Sequence, residues 1–310
     1  MIGLGFDCTS RARQQSFFGP PDGLGWDGSV LPLDVRMSAG AFRLNTDPRP
    51  LVDPLIWDGA ALHVDGVDGD DGNSGFGSMD GDFTNAKRSI HAAFSAGNAT
   101  GAAYRILIKS GEFEGSAFTK NGQIEPAFPV ALIGWNGPVW YRTGPFEAEW
   151  SDAGGTYSAG ITSLNRVFRT DVRTENGLYS ELVQANDLVA CQATVNTWFK
   201  DGSVLHVNIG RAPGPRDIAA IRNFNGARFL DHSDDLYLEN FHIEGGITGA
   251  LHCDAAADRN VVGVSCSFRY SSPSNTASPL DAVRIRRTNG LIAFFDCDAS
   301  CGAKDGWSFH

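Results

Sequence analysis

The sequence predicts an all-β fold, a single-stranded parallel β-helix with an N-terminal capping helix and a β-rich insertion. Two observations lead to this prediction. Short apolar segments recur at nearly constant spacing in the C-terminal third of the chain. The 310 residues also include 37 Gly and 14 Pro, a composition that favours many turns and short strands over long helices.

The repeat consists of two sets of strand-like segments that alternate along the chain. The first set comprises Ala227–Leu230, Leu251–Asp254, Val283–Arg286 and 307–310, whose starts are separated by 24, 32 and 24 residues. The second set comprises 236–243, 261–268 and 292–298. A polar loop at 271–279 accounts for the longer step. Each repeat therefore corresponds to one solenoid coil, with equivalent strands about 4.8 Å apart.

Alternation along the first set sorts its side chains between the core and the outer face. The inward positions are Ala227, Leu251, Val283 and Trp307, together with Phe229, Cys253, Ile285 and Phe309. The outward positions are Arg228, His252, Arg284 and Ser308, together with Leu230, Asp254, Arg286 and His310. The outer face is therefore predicted to carry a row of His, Arg and Asp side chains.

A helix is predicted ahead of the repeat, and a strand follows it. Thr84 is a candidate N-cap, and Gly97 is a candidate C-terminal stop. The apolar residues between them, spaced as on one helix face, are Ala86, Ile90, Ala93 and Phe94. Residues 104–109 then alternate as a strand.

The predicted organisation has four parts. Residues 1–60 form an irregular leader or attachment region, 61–135 the start of the β-helix, 136–217 the insertion, and 218–310 the remaining coils. Within the insertion, 196–208 is predicted to be a hairpin that turns at Asp201-Gly202, and a short helix is predicted between 175 and 193.

Charge and composition exclude several classes of partner. With 25 Lys and Arg against 36 Asp and Glu, the net charge is −11, so a nucleic acid is not expected to bind. No apolar run approaches the roughly 20 residues of a membrane helix, and residues 1–15 lack the apolar stretch of a signal peptide. None of the six Cys forms a C-x-x-C pair, so we expect buried thiols.

Three short motifs resemble the pectate-lyase-like β-helix superfamily. They are V-D-G-x-x-G-D-D-G at 64–72, R-I-L-I-K-S-G-E-F at 105–113 and D-G-f-x-f-H at 305–310. The resemblance implies a right-handed β-helix whose end is plugged by the helix. Members include pectate and alginate lyases, polygalacturonases, epimerases and phage tail spikes, so the resemblance leaves the activity open.

The outward row supplies the candidate site residues. The candidate catalytic groups are His252, Asp254, His310 and Asp305. A His can abstract the proton α to a uronate carboxylate, as in a lyase, and a pair of carboxylates can hydrolyse a glycosidic bond. Candidate substrate-binding residues are Arg228, Arg284 and Arg286, since Arg grips carboxylates with two hydrogen bonds. In the alternative interpretation, Asp305 caps a turn, and the His and Arg side chains are merely solvated.

Ca²⁺ is a candidate cofactor only through the Asp-rich loop at 65–72. Counted from Asp68, the twelfth position of an EF-hand loop is Met79 instead of Glu, so that motif fails. Ordinary turn chemistry explains the same Asp, Asn and Gly residues.

Three functional hypotheses remain open. The first is a depolymerase of acidic glycans, of lyase, glycoside hydrolase or epimerase type. The second is a phage or prophage tail spike or fibre that binds a cell-surface glycan, and the third is a non-catalytic adhesin module. All three share a polysaccharide partner and an extracellular or virion-associated location. Because the sequence stops within a strand, we expect further polypeptide or another subunit, as in a homotrimer, to cover the last coil.

Overall fold

In the computed structural model, the structure describes residues 16–18, 35–38, 41–44, 47–114, 126–144, 147–230, 232–254, 257–272 and 280–309. The chain forms two compact units, Met1–Leu51 and Val52–His310. The boundary between the units thus lies before residue 60, the boundary expected from the sequence. Residues 52–60, which include the first helix of the solenoid, belong to the second unit.

The first unit contains a small antiparallel sheet. Its strands are β1 (Ser16–Phe18), β2 (Val35–Ser38) and β3 (Ala41–Leu44), in the order β1-β2-β3. A single 3-10 turn, Arg49–Leu51, ends the unit.

The solenoid begins in the second unit with two helices and three strands. These are α1 (Leu55–Asp58), β4 (Ala60–Val64), α2 (Ile90–Asn98), β5 (Tyr104–Glu114) and β6 (Val130–Arg142). The three strands pair in parallel, in the order β4-β5-β6. Among the described helices, none is long and apolar enough to cross a membrane.

The insertion contains eight strands and one helix. In chain order they are β7 (Ser151–Asp152), β8 (Tyr157–Ala159), β9 (Leu164–Arg173), β10 (Tyr179–Glu181), β11 (Val183–Gln184), α3 (Leu188–Ala193), β12 (Thr197–Asp201), β13 (Val204–Asn208) and β14 (Ile218–Arg222). They form two sheets, β11-β12-β13-β8-β7 and β10-β9-β14, around a separate core that includes Val167, Trp198 and Leu205.

The structure shifts the limits of the insertion and confirms its hairpin. β6 continues its parallel pairing as far as Arg142, so residues 136–142 belong to the solenoid. β14 pairs antiparallel with β9, so the insertion extends to Arg222. The predicted hairpin is β12 and β13, which pair antiparallel around Gly202 at φ +56°.

The remaining coils follow the insertion. Their strands are β15 (Ala227–Leu230), β16 (Leu236–Glu239), β17 (Phe241–Glu244), β18 (Leu251–Asp254), β19 (Val261–Val264), β20 (Ser267–Arg269), β21 (Val283–Arg286), β22 (Ile292–Phe295), β23 (Asp298–Ser300) and β24 (Trp307–Phe309). Every strand pairs in parallel with its equivalent in the next coil. The result is a β-solenoid of about 7 turns, which confirms the predicted fold class.

Three parallel sheets form the sides of this solenoid. Sheet 1 contains β15, β18, β21 and β24. Sheet 2 contains β16, β19 and β22, which continue from the first halves of β5 and β6. Sheet 3 contains β17, β20 and β23, which continue from the second halves of the same two strands.

The corner between sheets 2 and 3 differs from the prediction. The segments 236–243, 261–268 and 292–298 were each predicted to be one strand, and each is divided in two. In every coil the two strands are separated at a residue with left-handed backbone: Asn240 at φ 54°, Ser265 at φ 51° and Asp296 at φ 51°. One such residue reverses the local twist and turns the chain from one sheet to the next.

Apolar side chains fill the solenoid, and α2 closes one end of it. Ile90, Ala93 and Phe94 of α2 belong to the same buried cluster as the strand residues Ile106 and Leu238. This confirms the capping helix, but the predicted start at Thr84 is wrong. The amide of Thr84 donates to Asp82 in a turn, 3.1 Å away. Ser89 is the N-cap and accepts from Ala92 N at 3.1 Å.

The insertion is held against sheet 3 by an aromatic stack and by hydrogen bonds. The rings of Tyr179 and Tyr270 stack with centroids 4.8 Å apart. Nη1 of Arg166 donates to the carbonyl oxygens of Ser271 at 2.7 Å and Cys301 at 2.9 Å. At the base of the insertion, Arg142 lies 2.9 Å from Glu244 in a buried ion pair. The removal of either partner of such a pair leaves an uncompensated buried charge.

The described cysteines are free thiols. Cys191, Cys253 and Cys266 are buried, as predicted, while Cys297 and Cys301 are half-buried. Cys266 and Cys297 occupy the same position in successive coils, where the amide of Cys266 lies 3.3 Å from the Cys297 sulfur. Their stacking is further evidence that the sequence repeat is a structural repeat.

Two substitutions at Asn240 test the corner. Both Asn240→Gly and Asn240→Val remove the side-chain amide, but only Gly adopts the left-handed backbone without strain. We expect Asn240→Val to lower the free energy of unfolding by at least about 2 kcal/mol and Asn240→Gly by less than about 1 kcal/mol. Denaturant unfolding measures both values, and equal losses would contradict the assigned corner.

Candidate functional site

The outer face of sheet 1 brings most of the predicted site residues together. Arg228 pairs in register with His252, and His252 with Arg284, which in turn pairs with Ser308. The predicted vertical line of outward residues is therefore confirmed. Parallel strands place such neighbours about 4.8 Å apart, so the His252 ring lies between two arginines.

His252 faces outward but is buried. Only 5% of the residue is exposed, and neither ring nitrogen has a hydrogen-bond partner within the part of the chain that the structure describes. The Nε of neighbouring Arg228 is also buried, and no described residue bonds to it. Each unsatisfied buried polar group costs about 1–3 kcal/mol. Such a cost is tolerated where a bound group supplies the missing partners.

Burial, together with the charges of Arg284 and Arg228, lowers the pKa of His252 to about 4, against the opposing effect of Asp254. The imidazole is therefore neutral at neutral pH and offers one donor and one acceptor. The same low pKa makes His252 a weak proton acceptor in the unliganded protein.

Asp254 is surrounded by cations. Its carboxylate accepts from Arg287 Nε at 2.6 Å and lies 3.5 Å from Arg286 Nη1 and 3.9 Å from His252 Nε2. Burial alone raises the pKa of Asp254, but the hydrogen bond from Arg287 and the neighbouring positive charges outweigh burial and lower it. Asp254 is thus an ionised anchor that orients the two arginines.

Arg287 follows Arg286 directly, and the sequence suggested for it only a solvated position that balances nearby acids, so it was left out of the predicted binding set. Strand alternation assigns consecutive residues to opposite faces, so a third Arg in the run was not placed on this site. Its left-handed backbone, φ 56°, turns it back towards Asp254. Sequence alone signals this arrangement only through the dense Arg run at 284–287.

The structure places Asp305 apart from Asp254. Asp254 ends its strand, whereas Asp305 precedes β24 and lies 3.1 Å from Lys304 Nζ. One coil earlier, the equivalent Asp281 is buried, 4.0 Å from the same ammonium group. His310, the fourth predicted catalytic residue, lies outside the described residues.

The Asp-rich loop uses its carboxylates in turns. Asp65 accepts from the amides of Val67 and Asp68 and lies 2.5 Å from Lys109 Nζ. Asp71 accepts from the amide and the hydroxyl of Ser89, both at 2.8 Å. Across the described ranges, no group of three or more His, Cys, Asp or Glu side chains is arranged to hold a metal ion.

The similarity of the chain to known proteins is weak. No family model and no curated protein matches the chain. Among solved structures, the chain is similar to one described as "Glycoside hydrolase", with a TM-score of 0.43 and 9% identity over 76% of this chain and 74% of that one.

The pH dependence of stability tests the environment of His252. The pKa of His252 is about 4 in the folded protein and near 6.5 in the unfolded chain, so the unfolded chain takes up this proton first as the pH falls. Stability is therefore lost between about pH 6.5 and pH 4, by up to about 3 kcal/mol from this residue.

We expect His252→Gln to lose less stability than the wild-type protein between pH 7 and pH 4.5, measured by denaturant unfolding at each pH. His91→Gln, on helix α2, is the matched control and should follow the wild-type curve. Parallel curves for wild type and His252→Gln would show that His252 titrates as an ordinary exposed histidine.

Proposed function

We propose that the outer face of sheet 1 binds an acidic polysaccharide through Arg228, His252, Arg284 and Arg286. The observation that supports this most directly is His252, which is buried between two arginines and whose ring nitrogens have no hydrogen-bond partner among the described residues. A ligand that binds this face would displace the groups that cover the ring, supply the missing partners of its nitrogens and contact the flanking arginines.

Local charge favours an anionic ligand. The outer face and the strand end beside it carry four arginines around the carboxylate of Asp254. They are Arg228, Arg284, Arg286 and Arg287. The chain as a whole carries a charge of −11, so this cationic cluster stands out against an acidic background. Arg binds carboxylates with paired, directional hydrogen bonds, as the uronates of acidic glycans require.

The neutral imidazole favours a sugar over a simple anion. A neutral His252 presents one N–H donor and one acceptor nitrogen, which together match a sugar hydroxyl that both accepts and donates. A bare anion could use only the donor. The combination of Arg for the carboxylate and His for the hydroxyl therefore suits a uronic acid unit.

Recognition is supported better than cleavage. A histidine with a pKa of about 4 is a poor base at neutral pH, and Asp254 is ionised and held by arginines, which does not suit a general acid. We therefore propose glycan binding as the function, and product release from a bound glycan would extend it to a depolymerase. Virion attachment and a trimeric assembly remain predictions from the sequence.

Binding measurements with an acidic and a neutral polymer test the proposal. We expect the wild-type protein to bind polygalacturonate or alginate oligomers in calorimetry, more weakly at higher salt because charge pairs are screened. Arg284→Gln should weaken this binding at least about tenfold, since it removes a charge-assisted contact. Arg173→Gln, an exposed arginine of the insertion, is the matched control and should bind like the wild type.

Two outcomes would overturn the proposal. One is an absence of binding to every acidic oligomer at low salt, and the other is an equal loss in Arg284→Gln and Arg173→Gln. Absorbance of unsaturated uronates and reducing-end assays on the same mixtures report whether the bound chain is also cut.

A further inference from the structure

A second groove lies on sheet 3, away from the arginines of sheet 1. Its outer row is Trp140, His242, Ser267 and Asp298, one from each successive coil and all in register. The left-handed corner residues Asn240, Ser265 and Asp296 line it on one side. The groove has a volume of about 410 Å³, which falls within the range of small-ligand sites.

An aromatic stack lines the groove. The rings of Trp140 and His242 lie nearly parallel, 23° apart, with centroids separated by 4.5 Å. Ser267 Oγ lies 2.8 Å from His242 Nδ1 and fixes the ring orientation. Burial lowers the pKa of His242, and the charge of Arg269 lowers it further, so this imidazole is also neutral. The stacked rings give the groove an apolar patch with polar ring edges.

Carboxylates mark the other end of the groove. Asp298 Oδ2 accepts from Arg269 Nε at 2.5 Å and from Ser300 Oγ at 2.9 Å. Its Oδ1 accepts no hydrogen bond from the residues that the structure describes. Asp296 is exposed, and its carboxylate accepts a hydrogen bond from Ser265 Oγ at 3.4 Å. Two acceptors are thus available beside the aromatic stack.

We infer that this groove is a second saccharide site and that it takes a neutral sugar. Its charged side chains are Asp296, Asp298 and Arg269, so two carboxylates face one guanidinium and a uronate would be repelled. Carboxylate acceptors that bind vicinal hydroxyls, the Asn240 amide and the aromatic stack form the mixed lining of a neutral carbohydrate site. The inference does not depend on the site of sheet 1, because it uses different strands and the opposite charge.

Asp296→Asn is the sharpest test variant. Asn tolerates the left-handed backbone at this position, and Asp296 carries no ion pair among the described residues, so the fold should be retained. The matched control is Asp258→Asn, an exposed turn aspartate whose described side-chain contact is Asn289. His242→Gln is the second variant, since it removes one ring of the stack.

The experiment titrates the full chain with neutral hexaoses of glucose, mannose and galactose units and with an oligogalacturonate, by calorimetry or ligand-observed NMR. We expect at least one neutral hexaose to bind. Asp296→Asn and His242→Gln should each weaken it about fivefold, the loss of roughly one hydrogen bond or ring contact. Asp258→Asn and Arg284→Gln should leave this binding unchanged.

Three results would overturn the inference: no neutral hexaose binds at millimolar concentration, Asp258→Asn weakens binding as much as Asp296→Asn, or the oligogalacturonate competes for the same groove. Arg284→Gln is expected to weaken only the binding of the acidic oligomer. A failure of the sheet 1 proposal therefore appears in the acidic titration and leaves the neutral titration unchanged.

Discussion

In-register parallel stacking of short strands is the constraint on which the structure depends. Each coil places equivalent residues about 4.8 Å above one another, so a side chain meets its counterparts before and after it in the repeat. Inward columns such as Leu251 on Val283 make one continuous apolar core. The same stacking brings outward side chains of successive coils into contact even where they carry like charges.

The outer columns show how the chain uses this rule. On sheet 1, a neutral His252 separates Arg228 from Arg284, and Asp254 draws in the arginines at the strand ends. On sheet 3, aromatic, hydroxyl and carboxylate groups follow one another. The two faces therefore differ in charge while they share one backbone geometry. In the next outer row of sheet 3, the buried ion pair of Arg142 with Glu244 lies where the insertion packs.

Sequence predicted the parts of this fold that depend on periodicity. The register of sheet 1 followed from spacing and alternation, because the inward residues Phe229, Cys253 and Ile285 must stack in one core. The corners were missed because a single left-handed residue creates each one. Ser265 and Asp296 each stand between apolar residues, so the sequence showed no interruption there. The helix start was missed because Thr84 has its hydrogen bond in a turn with Asp82. Alternation also tells which face a residue occupies, not what covers it, so the burial of His252 was not foreseen.

The pKa of the His252 ring, measured by NMR and assigned with His252→Gln, tests the central claim most directly. Stacking between Arg228 and Arg284 in a buried setting predicts a value near 4 in the free protein. An acidic oligosaccharide bound beside the ring should raise it, because a nearby negative charge favours the protonated form. A value near 6.5 that does not change with ligand would contradict both the buried stack and the proposed site.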